Sequence, residues 1–333
     1  MQTEMMVSVV CLAFNHGKYI RQTLEGFVTQ ETDFPYEVFV HDDASTDNTA
    51  DIIREYAQKY PRIIKPILQK ENQHSQKVYI PKAFILPRIQ GKYVALCEGD
   101  DYWTDRHKLQ KQVDAMTQNP DCSMCVHKVI EVHEDGTADG VTFPRADVKG
   151  GKLLSRTFLE IGKEYSFHTS SYFFRGEEYR SYVSNKPEFV RKCDVGDETY
   201  MLYFGNAGNV FYIDDPMSCY RRGVAGSWTV ANLTNIHKLA SHGHSMIDTL
   251  ISFDEYSGGK YHDICAERIS RQMAITTILE KNAYRFLKRE NREYFRCLSV
   301  AKRGYILLSI LLPGLMRRVY LRRRSMLLEK RGL

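Results

Sequence analysis

Residues 92–102 read KYVALCEGDDY: an apolar run from Tyr93 to Cys97 that stops at Glu98, Gly99, Asp100 and Asp101. The run has the length and composition of a short buried strand. Three carboxylates within four positions at its end repel one another unless something offsets them. A solvated acidic turn would account for one such cluster taken alone. The neighbouring sequence shows a second. YEVFVHDD, residues 36–43, is again strand-like and again ends in carboxylates, Asp42 and Asp43.

Working outward, the pattern repeats as strand and helix in alternation. VSVVCLAF (7–14) is a continuous apolar run, as in a strand buried on both faces. Ile20, Leu24, Phe27 and Val28 then recur at helical spacing, as do Ile52, Ile53, Tyr56 and Tyr60 after the second strand. Ser45 and Thr46 offer N-caps for that second helix. IIKPILQ (63–69) reads as a third strand, the opening stretch as the fourth, and HKLQKQVDAMTQ (107–118) as a further helix. This alternation predicts an α/β fold with a mainly parallel sheet flanked by helices. Ligands of such sheets bind beyond the carboxyl ends of the strands. Both acidic clusters fall there, on one rim, which counts against two unrelated solvated turns.

The second half is less regular. CSMCVHKVIEV (122–132) and TSSYFFR (169–175) read as strands, and GDETYMLYFGNAG (196–208) as a helix stopped by glycine. NVFYIDDPMSCYRR (209–222) reads as a strand pair or strand-turn-strand, and the chain is helical from about Asn232. A main α/β domain over 1–230 is expected, its two halves about 1–120 and about 121–230, with a helical extension over 231–333.

The chain has 333 residues, 43% of them apolar, and a net charge of +5. That charge is unevenly spread. From Lys281 onward there are 15 Lys and Arg against 3 Asp and Glu, while the preceding 280 residues carry 31 basic and 38 acidic side chains. A mildly acidic body with a basic end suits an anionic partner at that end. The eight cysteines are scattered and several lie in strand-like runs, so they are read as reduced and the protein as cytoplasmic. Cys122 and Cys125 form a lone C-x-x-C without a second pair at zinc-site spacing. MQTEMM runs into the first strand without the pattern of a secretory signal.

A rim of Asp and Glu suits a hard divalent cation, Mg2+ or Mn2+, held by one or two carboxylates and substrate phosphates. The sequence lacks G-x-G-x-x-G after its first strand, lacks G-x-x-x-x-G-K-[ST], and lacks H-E-x-x-H. Those absences argue against a dinucleotide-binding Rossmann site, a P-loop NTPase and the commonest zinc hydrolase.

Three segments in order, VSVVCLAFNHGKYIRQTLEGFVTQ, VFVHDDASTDNTADII and GKYVALCEGDDYWTD followed by KLQKQ, resemble the GT-A glycosyltransferases of family 2. The resemblance covers about residues 5–230. It implies a GT-A fold, a nucleotide-diphospho-sugar donor, UDP being the family's commonest nucleotide, and a single inverting displacement at the anomeric carbon. In the DDAS segment Asp43 would face the base, with Asp42 beside it. Leu12, Ala13 and Phe14 lie where the family wraps the base edge. EGDD matches the D-x-D-type motif, with Asp100 as metal ligand, Asp101 supporting the metal, and Glu98 or Gly99 nearer the ribose. Glu98 stands where the family more often has Asp.

The resemblance also implies an acidic base at the start of a helix in the second half. CDVGDETYMLYF (193–204) has that form. Asp197 is the first choice, Glu198 the second and Asp194 the third, although Asp at a helix start is favoured for capping alone. Arg221 or Arg222, in YRRGVAGSW (220–228), could clamp the leaving diphosphate or belong to an ordinary basic loop. His168 could line the acceptor side or be structural, and Asn72 to Lys77 lie where the family often has a donor-binding loop.

The implied activity is a metal-dependent inverting transfer of a sugar to a glycan or lipid-linked acceptor, in surface polysaccharide synthesis. The rivals are a non-catalytic nucleotide-sugar or glycan-binding protein on the same fold, and a nucleotidyltransferase, which would normally carry a Gly-rich loop where this chain has NHGKY. At the C-terminus, Tyr305 to Met316 is apolar and Arg317, Arg318 and Arg322 to Arg324 follow it. The run is too short to span a bilayer and contains Pro313. Nucleic acid would explain the arginines and not the leucines. An in-plane segment on the cytoplasmic face of an anionic membrane explains both, against a helix packed on the catalytic domain.

Overall fold

The computed structural model describes residues 4–162, 167–224 and 235–329. They form two compact units. The first runs to Lys186 and includes Tyr200–Arg222; the second comprises Pro187–Thr199 and the chain from Gly223 onward. The sequence places the boundary near 230. The segment 187–199 joins the second unit through packing that no local pattern announces.

In the first unit β1 (Val7–Ala13), α1 (Ile20–Val28), β2 (Tyr36–Asp42), α2 (Thr49–Lys59) and β3 (Ile64–Leu68) alternate as expected. A π-helical turn, Pro81–Ile85, leads to β4 (Tyr93–Leu96) and the two-residue β5 (Tyr102–Trp103). Then come α3 (Lys108–Gln118), β6 (Cys122–Val132), β7 (Ala138–Phe143), β8 (Gly151–Leu153), α4 (Ser155–Ile161), β9 (Phe173–Arg175) and α5 (Gly176–Asn185). After α6 (Glu188–Lys192), helix α7 (Gly196–Ala207) begins in the second unit and ends in the first, and β10 (Asn209–Arg221) completes the sheet. The second unit continues with α8 (Ile236–Tyr256), α9 (His262–Leu279), α10 (Arg292–Cys297), α11 (Val300–Leu311) and α12 (Pro313–Glu329).

Among the described residues the sheet has ten strands in the order β3-β2-β1-β4-β9-β6-β10-β5, with β7 on β6 and β8 on β10. Strands β1 to β4 are mutually parallel. Past β4 the sheet is mixed: β9 is antiparallel to both β4 and β6, while β10 returns parallel to β6. The apolar faces of α1 and α2 close one side. Ile20, Leu24, Phe27, Ile52, Ile53 and Tyr56 share one buried cluster with Val7, Val9, Val38 and Val40. Each such aliphatic or phenyl side chain contributes about 1.5–3 kcal/mol by leaving water.

The stretch 209–222 is one long strand rather than a pair. Its register against β6 shifts between Ile213 and Pro216 and again before Ser218. Pro216 has no N–H to give a ladder, so the strand bulges there and resumes. TSSYFFR divides into a 3-10 turn, Thr169–Ser171, and β9. The order in which strands join the sheet reverses between β1 and β4, since β2 and β3 lie on one side of β1 and β4 on the other. In sheets of this kind ligands bind beyond the carboxyl ends of the strands at such a switch point.

In the second unit α6 packs on α8, with Phe189 edge-on to Phe253 at 5.3 Å between ring centres. Phe253 in turn stacks on Tyr261 at the start of α9.

Candidate functional site

The rim is built around the end of β1. Ala13 pairs in register with Asp42 of β2, and the Asp43 N–H donates to the Ala13 carbonyl at 3.0 Å. On the other side the Gly99 N–H donates to the Leu12 carbonyl at 2.9 Å. Leu12 and Ala13 are thus flanked by the DD pair and by the EGDD turn. Phe14, the next residue, is exposed.

The EGDD turn needs its glycine. A Cβ at Gly99 would stand 2.8 Å from His16 Nδ1 and 2.9 Å from the Ala13 Cβ. Thr23 of α1 fixes the turn from beneath, its hydroxyl donating to the carbonyls of Gly99 (3.0 Å) and Asp101 (2.6 Å). The Thr169 hydroxyl donates to Glu98 Oε2 at 2.7 Å.

The two adjacent aspartates differ sharply. Asp101 is 2% exposed, and its Oδ1 accepts the Arg221 N–H at 3.0 Å. Burial, then the charges of Asp100 and Glu98, push its carboxyl well above the usual carboxylate range, against the lowering by Arg221. Asp100 keeps access to solvent. Its Oδ2 lies 3.8 Å from His16 Nε2. His16 Nδ1 is buried with no hydrogen-bond partner among the described residues.

These residues suit a divalent cation in a restricted sense. Among the described residues no group of three or more His, Cys, Asp or Glu forms a cage. Asp100 with His16 beside it offers a partial donor set, which phosphate oxygens and water would complete, as is usual for Mg2+. The repulsion that raises Asp101 is what a cation at Asp100 would relieve.

Asp42 and Asp43 are both buried. Asp42 accepts the hydroxyl of Ser45 and, at 3.2 Å, its N–H. Asp43 accepts the N–H of Gln73 at 2.7 Å and of His74 at 3.0 Å, and its carbonyl accepts from the Asn72 side chain. Asp43 therefore anchors the loop after β3 to the rim, so the 72–77 segment and the DD pair form one structure. Two carboxylate oxygens carry about four acceptor sites, so these bonds leave Asp43 capacity for a ligand.

Arg221 and Arg222 are buried and committed to the protein. The Arg221 guanidinium lies over the rings of Tyr19 (5.2 Å) and Tyr102 (4.5 Å), donates to the Asp100 carbonyl at 2.5 Å, and also donates to Gln22. Arg222 donates to Glu131 at 2.5 Å and pairs with Asp139 at 3.4 Å. Within the protein Arg221 stiffens the acidic turn and Arg222 fixes the end of β10 to β6.

His168 lies against Tyr220, ring centres 4.3 Å apart, with Nδ1 3.8 Å from Asp101 Oδ2. Burial lowers its pKa to about 3, so this is a neutral imidazole beside a carboxyl and not an ion pair. Its Nδ1 accepts the Ser170 N–H at 3.3 Å.

The three acids proposed as base stand in the second unit. Glu198 is 2% exposed and paired with Arg268. Asp194 is bonded to His242 Nδ1 at 2.8 Å and accepts from Ser245 at 3.1 Å. Asp197, in the first turn of α7, is exposed, and no side-chain hydrogen bond engages it among the described residues. The protein around it nevertheless desolvates its carboxyl and raises it, with Glu198 adding to the effect.

Sequence reasoning missed His16, Thr23, Gln22 and Tyr19. Each sits on or just before α1, where helical spacing explains the apolar positions and leaves the polar ones unassigned. Residues 225–228 of the YRRGVAGSW stretch lie outside the described residues.

A family model described as Glycosyl transferase family 2 matches residues 8–175. An uncharacterized protein of Mycobacterium tuberculosis is 36% identical over 249 residues, 73% of this chain and 66% of that protein, so the match spans just under two thirds of the relative's length. TuaG of Bacillus subtilis, named for teichuronic acid biosynthesis as a glycosyltransferase, is 31% identical over 132 residues, 40% of this chain and 50% of that one. Among solved structures, Staphylococcus aureus TarS residues 1–349 in complex with UDP-GlcNAc superposes with a TM-score of 0.55 at 16% identity, over 92% of this chain and 91% of that one. At that identity the likeness concerns the fold.

Proposed function

Because the chain belongs to glycosyl transferase family 2, we propose that it transfers one sugar from a nucleoside diphosphate sugar to a hydroxyl of a glycan or lipid-linked acceptor, with inversion. The observation that carries this reading is the accessible Asp100 carboxylate, backed by a buried Asp101 whose charge its neighbours oppose. UDP is proposed as the nucleotide because TarS, similar in fold, binds UDP-GlcNAc. Surface polysaccharide synthesis is proposed from the name of TuaG.

Exposed Phe14, with Leu12 and Ala13, would meet the base, and Asp43 would use its remaining acceptor capacity there. Glu98 and Gly99 would border the ribose. Bound at Asp100, Mn2+ or Mg2+ would neutralise the departing diphosphate. Arg221 serves the donor indirectly by holding the Asp100 carbonyl and the Asp101 carboxyl in place. Asp197 would take the proton of the acceptor hydroxyl, its raised carboxyl bringing it nearer to a base poised at neutral pH. The basic tail would hold the protein peripherally at a cytoplasmic membrane face, where a lipid-linked acceptor resides.

A panel of nucleotide sugars tests the reading by thermal shift with Mn2+. One or a few should raise the melting temperature by mass action, and Asp100→Asn should reduce that gain. No stabilisation by any nucleotide sugar would overturn the reading.

A further inference from the structure

The last two helices turn apolar residues outward. On α11 the exposed positions include Val300, Gly304, Leu307, Leu308 and Leu311, while Ile306 and Ser309 face inward. A helix on a soluble surface normally shows the reverse. At Leu312 the backbone leaves helical geometry (φ −131, ψ 58), and α12 restarts at Pro313. The bend gathers five exposed leucines: Leu307 (46%), Leu308 (48%), Leu311 (75%), Leu312 (49%) and Leu315 (53%). Met316 and Ile306 are buried, and the Tyr305 hydroxyl donates to the Met316 carbonyl at 3.2 Å, which fastens the two helices across the bend. Singly exposed leucines need no explanation, whereas a contiguous group marks an interaction surface.

The charge beside this corner is of one sign. Arg318, Arg322 and Arg323 are exposed along α12, and from Val300 to Leu327 the sequence holds no Asp or Glu. Exposed Met326 and Leu327 stand next to the arginines. No helix among the described residues is long and apolar enough to cross a membrane.

We infer that the corner formed by α11 and α12 is a docking surface for an anionic lipid bilayer, the leucines entering the acyl boundary and the arginines meeting lipid phosphates. This deepens the proposal of a membrane-held acceptor and rests on it for its biological sense, not for its physics. A nucleic acid would engage the arginines and leave the leucines in water. An apolar groove on a partner protein would cover the leucines and leave the arginines unused. A bilayer uses both in the order in which they lie along the chain.

The test uses the full chain and needs no enzyme activity, so its outcome is independent of whether the donor site is correctly assigned. Sedimentation is measured with vesicles of phosphatidylglycerol and phosphatidylcholine, and with vesicles of phosphatidylcholine alone. Binding to the anionic vesicles, weakened by salt, is expected, with little binding to the neutral ones. Leu308→Glu/Leu311→Glu alters only exposed positions and should lower anionic-vesicle affinity about tenfold or more while keeping the circular dichroism and melting temperature. Arg322→Gln/Arg323→Gln should lower it and flatten its salt dependence. Unchanged partitioning of the leucine variant, or equal binding to both vesicle types, would overturn the inference. So would a dimer, measured by analytical ultracentrifugation, that the leucine variant abolishes, since the face would then belong to a second copy of the chain.

Discussion

Asp100 and Asp101 are neighbours in sequence and opposite in circumstance, and the difference makes separate predictions for function and stability. Asp100→Asn removes a charge that the protein itself uses little, the His16 contact being 3.8 Å long. It also lessens the repulsion on Asp101. Its melting temperature should equal or slightly exceed that of the wild type, while donor turnover falls about a hundredfold or more, by analogy with the loss of one transition-state stabiliser. Lys108 gives a pH prediction. It is fully buried at the start of α3, its Nζ 4.0 Å over the Trp103 ring and donating to Gln112. Burial lowers its pKa to about 7, opposed by Cys97, Cys125 and Asp105. The folded state therefore binds fewer protons than the unfolded state between about pH 7 and 10.4, so stability rises with pH across that window. Below it the full cost of a buried charge is present, at most about 5 kcal/mol. Lys108→Met should be more stable than the wild type near pH 6, and that advantage should shrink as pH rises to 10; a pH-independent difference would contradict the account. The carboxylates of the rim were legible because they interrupt apolar strands at their ends. Lys108 was not, since a helical pattern shows which apolar residues face inward and cannot show that a lysine joins them.

Strands and helices of the first half were legible for a similar reason: β1 to β4 with α1 and α2 obey two clear periodicities, and their short connections leave few alternatives. The loop after β3 was not, because its structure depends on a carboxylate 30 residues away, Asp43, accepting the N–H groups of Gln73 and His74. Asp43→Ala should therefore act beyond its own position. Two donors lose their acceptor, a cost of about 1–3 kcal/mol, and the Gln73 and His74 amides should exchange hydrogen faster than those of β3. Equal protection in variant and wild type would contradict this anchoring. β10 was misread as a strand pair because DDP resembles a turn; pairing with β6 on both sides of the bulge overrides the local signal. The Arg222–Glu131 pair closes that pairing at its end, Tyr220 lying in register with Glu131. Arg222→Met would leave Glu131 buried with the longer Arg145 contact of 3.3 Å. The expected loss is about 3 kcal/mol in urea unfolding; a loss below about 1 kcal/mol would show that Glu131 is satisfied without Arg222.

For the whole molecule, the family match ends at residue 175, well past residue 120, where the sequence pattern begins to lose its regularity. The second unit draws on 187–199 and on the chain after 222, segments separated by a stretch of the first unit, so its extent could not be read from a linear pattern. The central claim is that the rim at β2, β1 and β4 cleaves the bond between a sugar and a nucleoside diphosphate. Its most direct test is release of nucleoside diphosphate from the nucleotide sugar that best stabilises the protein. Mn2+ is present and water or a simple glycoside serves as acceptor, with wild type, Asp100→Asn and Asp197→Asn measured side by side. The account predicts slow release by the wild type that stops on chelation, release near background for Asp100→Asn, and retained donor binding without transfer for Asp197→Asn. Donor binding by the wild type with no release under any of these conditions, or release undiminished in Asp100→Asn, would contradict it.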